Sequence, residues 1–283
     1  MKGYKAFNKK DGKLSCRGFE YDPEFIHEVD GELEMCKNGI HFCQKLESIF
    51  WYYRFDKKNV EVWEIEALGD IIHGDDKSVT NKLILHKKVD CFDDEKLQLD
   101  ELKRNGYAIK YIKDPSEKVQ LEAVKYDGFA IDYIKNPSKK VQLEAVREDG
   151  HAIQYIDNPS EEMKLEAVKQ DGFAIQYIKN PSEEVQLEAV KENGYAIEYI
   201  KNPSEKLQLK AVKQNGYAIE YIKNPSEEVQ LEAVKENGYA IQCIDNPSEK
   251  VQLEAVKRNG YAIKFIKNPS EKVQLEVVRE DEY

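Results

Sequence analysis

Cys16, Cys36, His41 and Cys43 are the residues near the amino terminus whose types could hold a metal. Three thiolates and an imidazole suit a tetrahedral zinc ion. Their spacing argues against that chemistry, because no Cys-x2-Cys knuckle is present and cysteines beside strands are ordinary small core residues. The expectation is a domain without metal. No Ser-His-Asp order, phosphate-binding loop or paired-carboxylate pattern appears elsewhere. The five cysteines, these three with Cys91 and Cys243, form no even framework, which fits a reducing compartment. With neither a signal-like segment nor a run long enough to span a bilayer, the expected location is cytoplasmic, away from membranes.

The other candidates for binding chemistry recur at a fixed interval. One row, Gln98, Gln120, Gln142, Lys164, Gln186, Gln208, Gln230, Gln252 and Gln274, falls inside an apolar arc, where an amide needs a partner. These side chains are expected to satisfy backbone groups of the adjoining loop, the alternative being a ladder of ligand contacts. Two aromatic rows follow, one from Tyr107 through Phe129, His151 and Phe173 to Tyr261, the other from Tyr111 through Tyr133 and Tyr155 to Phe265. Phenylalanine stands in both rows, so the hydroxyl is dispensable and the rings read as core or as an amphipathic stacking surface. His151 replaces a ring with a ring and reads as a packing residue. The positions that vary freely are Lys110, Asp132, Gln154, Gln176, Glu198, Glu220, Gln242 and Lys264. They are the candidate partner-binding residues.

The elements that position these rows repeat every 22 residues, with prolines from Pro115 to Pro269 and glycines from Gly106 to Gly260 in step. In the unit Asn180–Lys201, Asn180 and Pro181 read as a helix start, with Glu183 reaching back as in a capping box. Asn193 and Gly194 read as its stop through a left-handed glycine. A second short helix is expected from Tyr195 to Lys201, ended by the next Asn-Pro. On helical wheels Val185, Leu187, Ala189 and Val190, then Tyr195, Ala196, Ile197, Tyr199 and Ile200, cover arcs too wide for one repeat to bury. The units must therefore stack, giving an all-α solenoid over 92–283 with eight full repeats and a final half. The Asn-Pro start and the Val-x-Leu-x-Ala-Val run resemble leucine-rich repeat variants and other short two-helix repeats, which implies a binding scaffold. From Asp93 onward there are 28 Lys/Arg against 37 Asp/Glu, so direct nucleic-acid binding is not expected. Lysines interleave with the glutamates, which reads as a solvated face with local ion pairs.

Residues 1–91 alternate in strand fashion at Lys2–Phe7, Cys16–Tyr21, Ile40–Cys43, Val60–Ala67 and Val79–Leu85, with one helix near Leu46–Tyr53, and form a small α+β domain. The segments Cys16-Arg17-Gly18-Phe19, Gly39–Cys43, Ser48–Tyr53 and Glu64–Gly69 resemble a domain common in phage and prophage proteins. More distantly they resemble the ADP-ribosyltransferase fold, in which a Gly-Ile-Tyr-Phe-Ala strand precedes a helix ending in a tyrosine that stacks on nicotinamide. On that resemblance His41 and Tyr52 are the candidate cofactor contacts. The chain departs from the family in having no glutamate over Val79–Val89 and no His-Gly near Tyr4. The leading expectation is a non-enzymatic binding protein without cofactor, phage- or prophage-encoded, that inhibits a host defence protein or ribonucleoprotein complex by stoichiometric binding. An ADP-ribosyltransferase-like enzyme, or NAD or ADP-ribose binder, on a targeting solenoid is the alternative.

Overall fold

The computed structural model describes residues 1–54 and 56–280, with side chains through residue 279, so residues 281–283 of the expected array lie outside the described residues. The chain has the expected architecture, an antiparallel β-sheet region followed by regular helical repeats. Its two compact units are Met1–Val141 and Gln142–Tyr283.

In the first unit the strands are β1 (Lys2–Lys10), β2 (Lys13–Cys16), β3 (Phe19–Tyr21), β4 (Ile26–Glu28), β5 (Ile40–Cys43), β6 (Val60–Ala67), β7 (Ile71–His73), β8 (Lys77–Thr80) and β9 (Lys82–Val89). All pairings are antiparallel, in the order β4-β9-β6-β1-β5-β8-β7, and β2 pairs with both β1 and β3. Alternation sends Phe7, Ile40, Phe42, Ile65, Leu83 and Leu85 into one apolar cluster.

Two expected strands are each divided in two, the first as a hairpin and the second into strands that do not pair with each other. Cys16–Tyr21 turns at Arg17 and Gly18, whose φ angles of 51° and 84° are the left-handed pair of a two-residue turn. Val79–Leu85 breaks at Asn81, between β8 and β9. The helix expected near Leu46–Tyr53 is a short 3-10 turn, Glu47–Trp51. The change from strand to helix falls between Val89 and Glu95. The first repeats belong to this unit: Phe50 meets Phe92 edge-on at 5.6 Å and the Arg104 guanidinium lies 5.6 Å from the Trp51 ring.

The helices are α1 (Glu95–Leu102), α2 (Glu117–Tyr126), α3 (Lys139–Glu148), α4 (Glu161–Gln170), α5 (Glu183–Glu192), α6 (Glu205–Gln214), α7 (Glu227–Glu236), α8 (Glu249–Arg258) and α9 (Glu271–Glu280). In the second unit α4 to α8 each pack on the next α-helix and on the 3-10 helices before and after them. Val185, Ala189, Val190, Ala196, Ile197 and Ile200 are buried there, as the arcs require.

Three expectations about the repeat change in the structure. The α-helix cap is Ser182, not Asn180: its side chain accepts from the Val185 amide, and Asn180 has φ 50°. A short polar side chain tolerates that left-handed turn, which sets the proline ring ahead of the helix instead of inside it. The second segment is a 3-10 helix, Gly194–Tyr199, capped by Asn193 accepting from the Tyr195 amide. Asn193 is extended at φ −147°, and Gly194 has no left-handed φ. Glycine is required by proximity instead. A Cβ on Gly194 would lie 2.6 Å from the Ala211 carbonyl oxygen in the next repeat.

Candidate functional site

The glutamine row is consumed by the fold. Gln186, Gln208, Gln230, Gln252 and Gln274 donate from Nε2 to the carbonyls of Pro181, Pro203, Pro225, Pro247 and Pro269 at 2.9–3.0 Å. In the first unit Gln98 and Gln120 do the same to Phe92 and Pro115. These seven glutamines serve loop carbonyls, as an amide inside an apolar arc must, whereas Lys164 in the same row donates to Glu161 at 3.3 Å.

What the repeats leave outside is an aromatic staircase. In the second unit Tyr155, Tyr177, Tyr199, Tyr221 and Phe265 are 38–45% exposed. Tyr199 is therefore not part of the buried arc assigned from an α-helical wheel. At three residues per turn Tyr195 and Tyr199 stand about 120° apart instead of one above the other. The half-buried rings form the inner tread: His151, Phe173, Tyr195 and Tyr239 meet Tyr177, Tyr199, Tyr221 and Phe265 of the following repeat edge-on at 5.6–6.1 Å. His151 packs as a ring, with Asp149 and Asp171 at 3.5 and 3.8 Å from its nitrogens. Gln154, Gln176, Glu198, Glu220, Gln242 and Lys264 are all exposed beside this staircase. In the first unit Lys110 and Asp132 are likewise exposed, next to Tyr111 and Tyr133. Tyr221 is held above the ordinary phenol value, first by the protein packed round it and then by Glu198 and Glu220.

The first unit also holds a cleft of about 780 Å³ over β1 and β5. His41 and Tyr52 both line it, together with Lys5, Arg17, Tyr53 and Lys77. His41 is pushed down to about 4 by burial, then by Arg17, Lys5 and Lys77, so it is neutral at pH 7. Its Nε2 accepts from the Cys36 amide at 2.8 Å. The Tyr52 hydroxyl donates to Asp76, which with burial raises the phenol to about 12, and Lys77 Nζ sits 4.7 Å from the ring centre. One face of that ring is thus already occupied. Among the described residues no group of three or more His, Cys, Asp or Glu is placed to hold a metal ion. Cys36 is exposed, whereas Cys16 and Cys43 are buried.

Residues 1–93 match the model of a domain of unknown function, DUF7666. A second domain of unknown function, DUF4116, matches three overlapping stretches, 138–182, 160–205 and 182–225, each about two repeats long. No curated protein and no solved structure matches the chain. The chain thus carries an amino-terminal domain similar to one family and repeated units similar to another, and function has to be argued from the sites themselves.

Sequence reasoning did not find Lys5, Arg17, Tyr53 and Lys77. The available signal was Lys5 itself, which stands between Gly3 and Phe7 on the inward-facing parity of a strand.

Proposed function

We propose that the chain is a non-enzymatic binding scaffold whose repeats hold a protein partner through the exposed tyrosine staircase and its polar flanks. The observation that carries this reading is the division of labour within each repeat. The glutamines, serines and asparagines are engaged with backbone groups and the aliphatics are buried, whereas the second aromatic row stays in solvent beside the freely varying positions. Aromatic rings flanked by Glu198 and Glu220 suit lysine and arginine side chains, which combine ring-face attraction with ion pairing. Lys264 over Tyr261 at 4.9 Å and Lys110 over Tyr111 at 4.8 Å are examples within the chain. The partner surface is accordingly basic. That it belongs to a host defence protein or ribonucleoprotein complex, inhibited by stoichiometric binding, rests on the likeness of the amino-terminal segments to phage and prophage domains.

The test is quantitative affinity capture from host lysate with the full chain and two variants, Tyr199→Ser/Tyr221→Ser and Glu198→Lys/Glu220→Lys, both checked for unchanged circular dichroism. A partner retained by the native chain should be lost, by tenfold or more, with each variant. Equal capture by all three would sink the reading. A second reading, an ADP-ribosyltransferase-like or NAD-binding head, is favoured by the convergence of His41 and Tyr52 on one cleft. Transfer of label from NAD to protein, abolished by Tyr52→Ala, would establish it in place of the first.

A further inference from the structure

We propose that the cleft of the amino-terminal domain is a carbonyl-binding site, in which the Lys5 amine forms an imine with an aldehyde or ketone that also carries a carboxylate or phosphate. The claim is independent of the scaffold reading.

Lys5 is 4% exposed, yet it lines the cleft. A buried lysine is ordinarily paired with a carboxylate. Among the described residues Lys5 has no such ion pair. Its Nζ donates to the His41 carbonyl oxygen at 2.8 Å and lies 3.5 Å from Cys16 Sγ, with the Phe7 and Tyr21 ring centres 5.4 and 5.5 Å away. Burial, seconded by Arg17 and opposed by Cys16 and Cys43, draws the amine below the ordinary lysine value. Desolvation favours the neutral amine, which is the form that attacks carbonyls.

The neighbouring groups supply the rest of the chemistry. Tyr53 Oη and Cys16 Sγ are 2.8 Å apart, so hydroxyl, thiol and amine form a chain along which a proton can pass. The Lys5 nitrogen adds to the carbonyl carbon and the carbonyl oxygen takes a proton, giving a carbinolamine. The nitrogen then loses its last proton and the hydroxyl leaves as water on receiving one, so that amine and carbonyl compound yield imine and one water. Tyr53 and Cys16 are placed to lend and recover those protons. The lining also carries Arg17, Lys37 and Lys77 against Glu28 and Asp30, a cationic balance in an otherwise acidic chain. That balance selects an anionic carbonyl compound. The cleft's 780 Å³ falls in the range of small-molecule sites and admits ligands larger than a three-carbon acid.

The full chain is incubated at pH 7 with sodium cyanoborohydride and either glyoxylate, an anionic aldehyde, or propionaldehyde, an uncharged one, and labelled sites are followed by peptide mass spectrometry. At pH 7 an ordinary lysine is neutral in only about one molecule in 2,500. Lys5 should therefore label at least tenfold faster than the exposed lysines, with glyoxylate preferred. Arg17→Gln should slow glyoxylate labelling of Lys5 severalfold more than propionaldehyde labelling, and inorganic phosphate should do the same to the native chain, which guards against a misfolded variant. Labelling of Lys5 no faster than of exposed lysines would overturn the proposal. Fast labelling with equal effects on both aldehydes would overturn its anionic ligand.

Discussion

Gly216→Ala and Gly260→Ala add the same methyl at the same step of the same Asn-Gly-Tyr-Ala-Ile sentence, and they should move stability in opposite directions. Neither glycine has a left-handed φ, so backbone conformation does not distinguish them. Their surroundings do. A Cβ on Gly216 would sit 2.5 Å from the Ala233 carbonyl oxygen and 3.1 Å from Asn237 Cβ. The first distance is about 1 Å inside the optimal separation of nonbonded atoms. That oxygen cannot simply retreat, because it accepts the Asn237 amide at 2.9 Å and closes the last turn of α7. Overpacking of this kind costs about 1–3 kcal/mol. Among the described residues a Cβ on Gly260 would find only Val277 Cγ1, at 3.7 Å, an ordinary contact. There alanine should gain about 0.4–1 kcal/mol by restricting the unfolded chain. Urea unfolding followed by far-ultraviolet circular dichroism gives the midpoints, and an unchanged slope shows that stability alone has moved. In a stacked array the loss should also be local, appearing first as faster amide exchange in α7. Equal shifts of the two variants, or an unharmed Gly216→Ala, would refute close approach as the reason for the glycine row.

Ser204→Ala removes the side chain that accepts from the Leu207 amide at the start of α6, and should cost about 1 kcal/mol in the same unfolding experiment. Asn202→Gly, at φ 51°, should by contrast leave the α6 cap intact and shift stability much less. His41 gives a pH dependence. Its folded pKa, near 4, lies below the ordinary value of about 6.5, so between these values the unfolded chain binds the proton first. Its contribution is complete above about pH 6.5 and is lost as pH falls toward 4, softened by solvent at this half-buried ring. Melting temperatures of the native chain and His41→Asn should converge over that window, and parallel curves would exclude the effect.

The repeat was legible because one sentence is written eight times and begun a ninth. Each proline, glycine and apolar step is checked by its neighbours, and stacking follows from an arc that no single copy can bury. What periodicity could not supply was the identity of the helix type. Six residues between a capping asparagine and an extended isoleucine fit either pitch, yet the 3-10 pitch is what puts Tyr199 in solvent. Likewise Asn-Pro-Ser offers two capping side chains, and only the left-handed turn at the asparagine decides that the serine caps. In the sheet domain β5 and β6 were legible from alternation, whereas the turns at Arg17-Gly18 and Asn81 lay hidden inside apparently continuous strands.

The cleft was the least legible part, since it is made by register and not by motif. Lys5 faces Trp63 across the ladder with β6, while the neighbouring Tyr4 pairs with Cys43 of β5. The β2–β3 hairpin then brings Cys16 beside the Lys5 amine and Tyr53 beside Cys16. A one-residue slip of β1 would turn Lys5 to the opposite face and leave nothing of the site. Close contact across this part of the sheet resists such a slip: a Cβ on Gly3 would come within 2.6 Å of Phe42 Cδ2 and 2.8 Å of the Cys43 carbonyl oxygen. Chemistry-bearing residues spaced by 11 and 37 positions have no linear signature. Their only trace in the sequence is a lysine where alternation demands an apolar side chain.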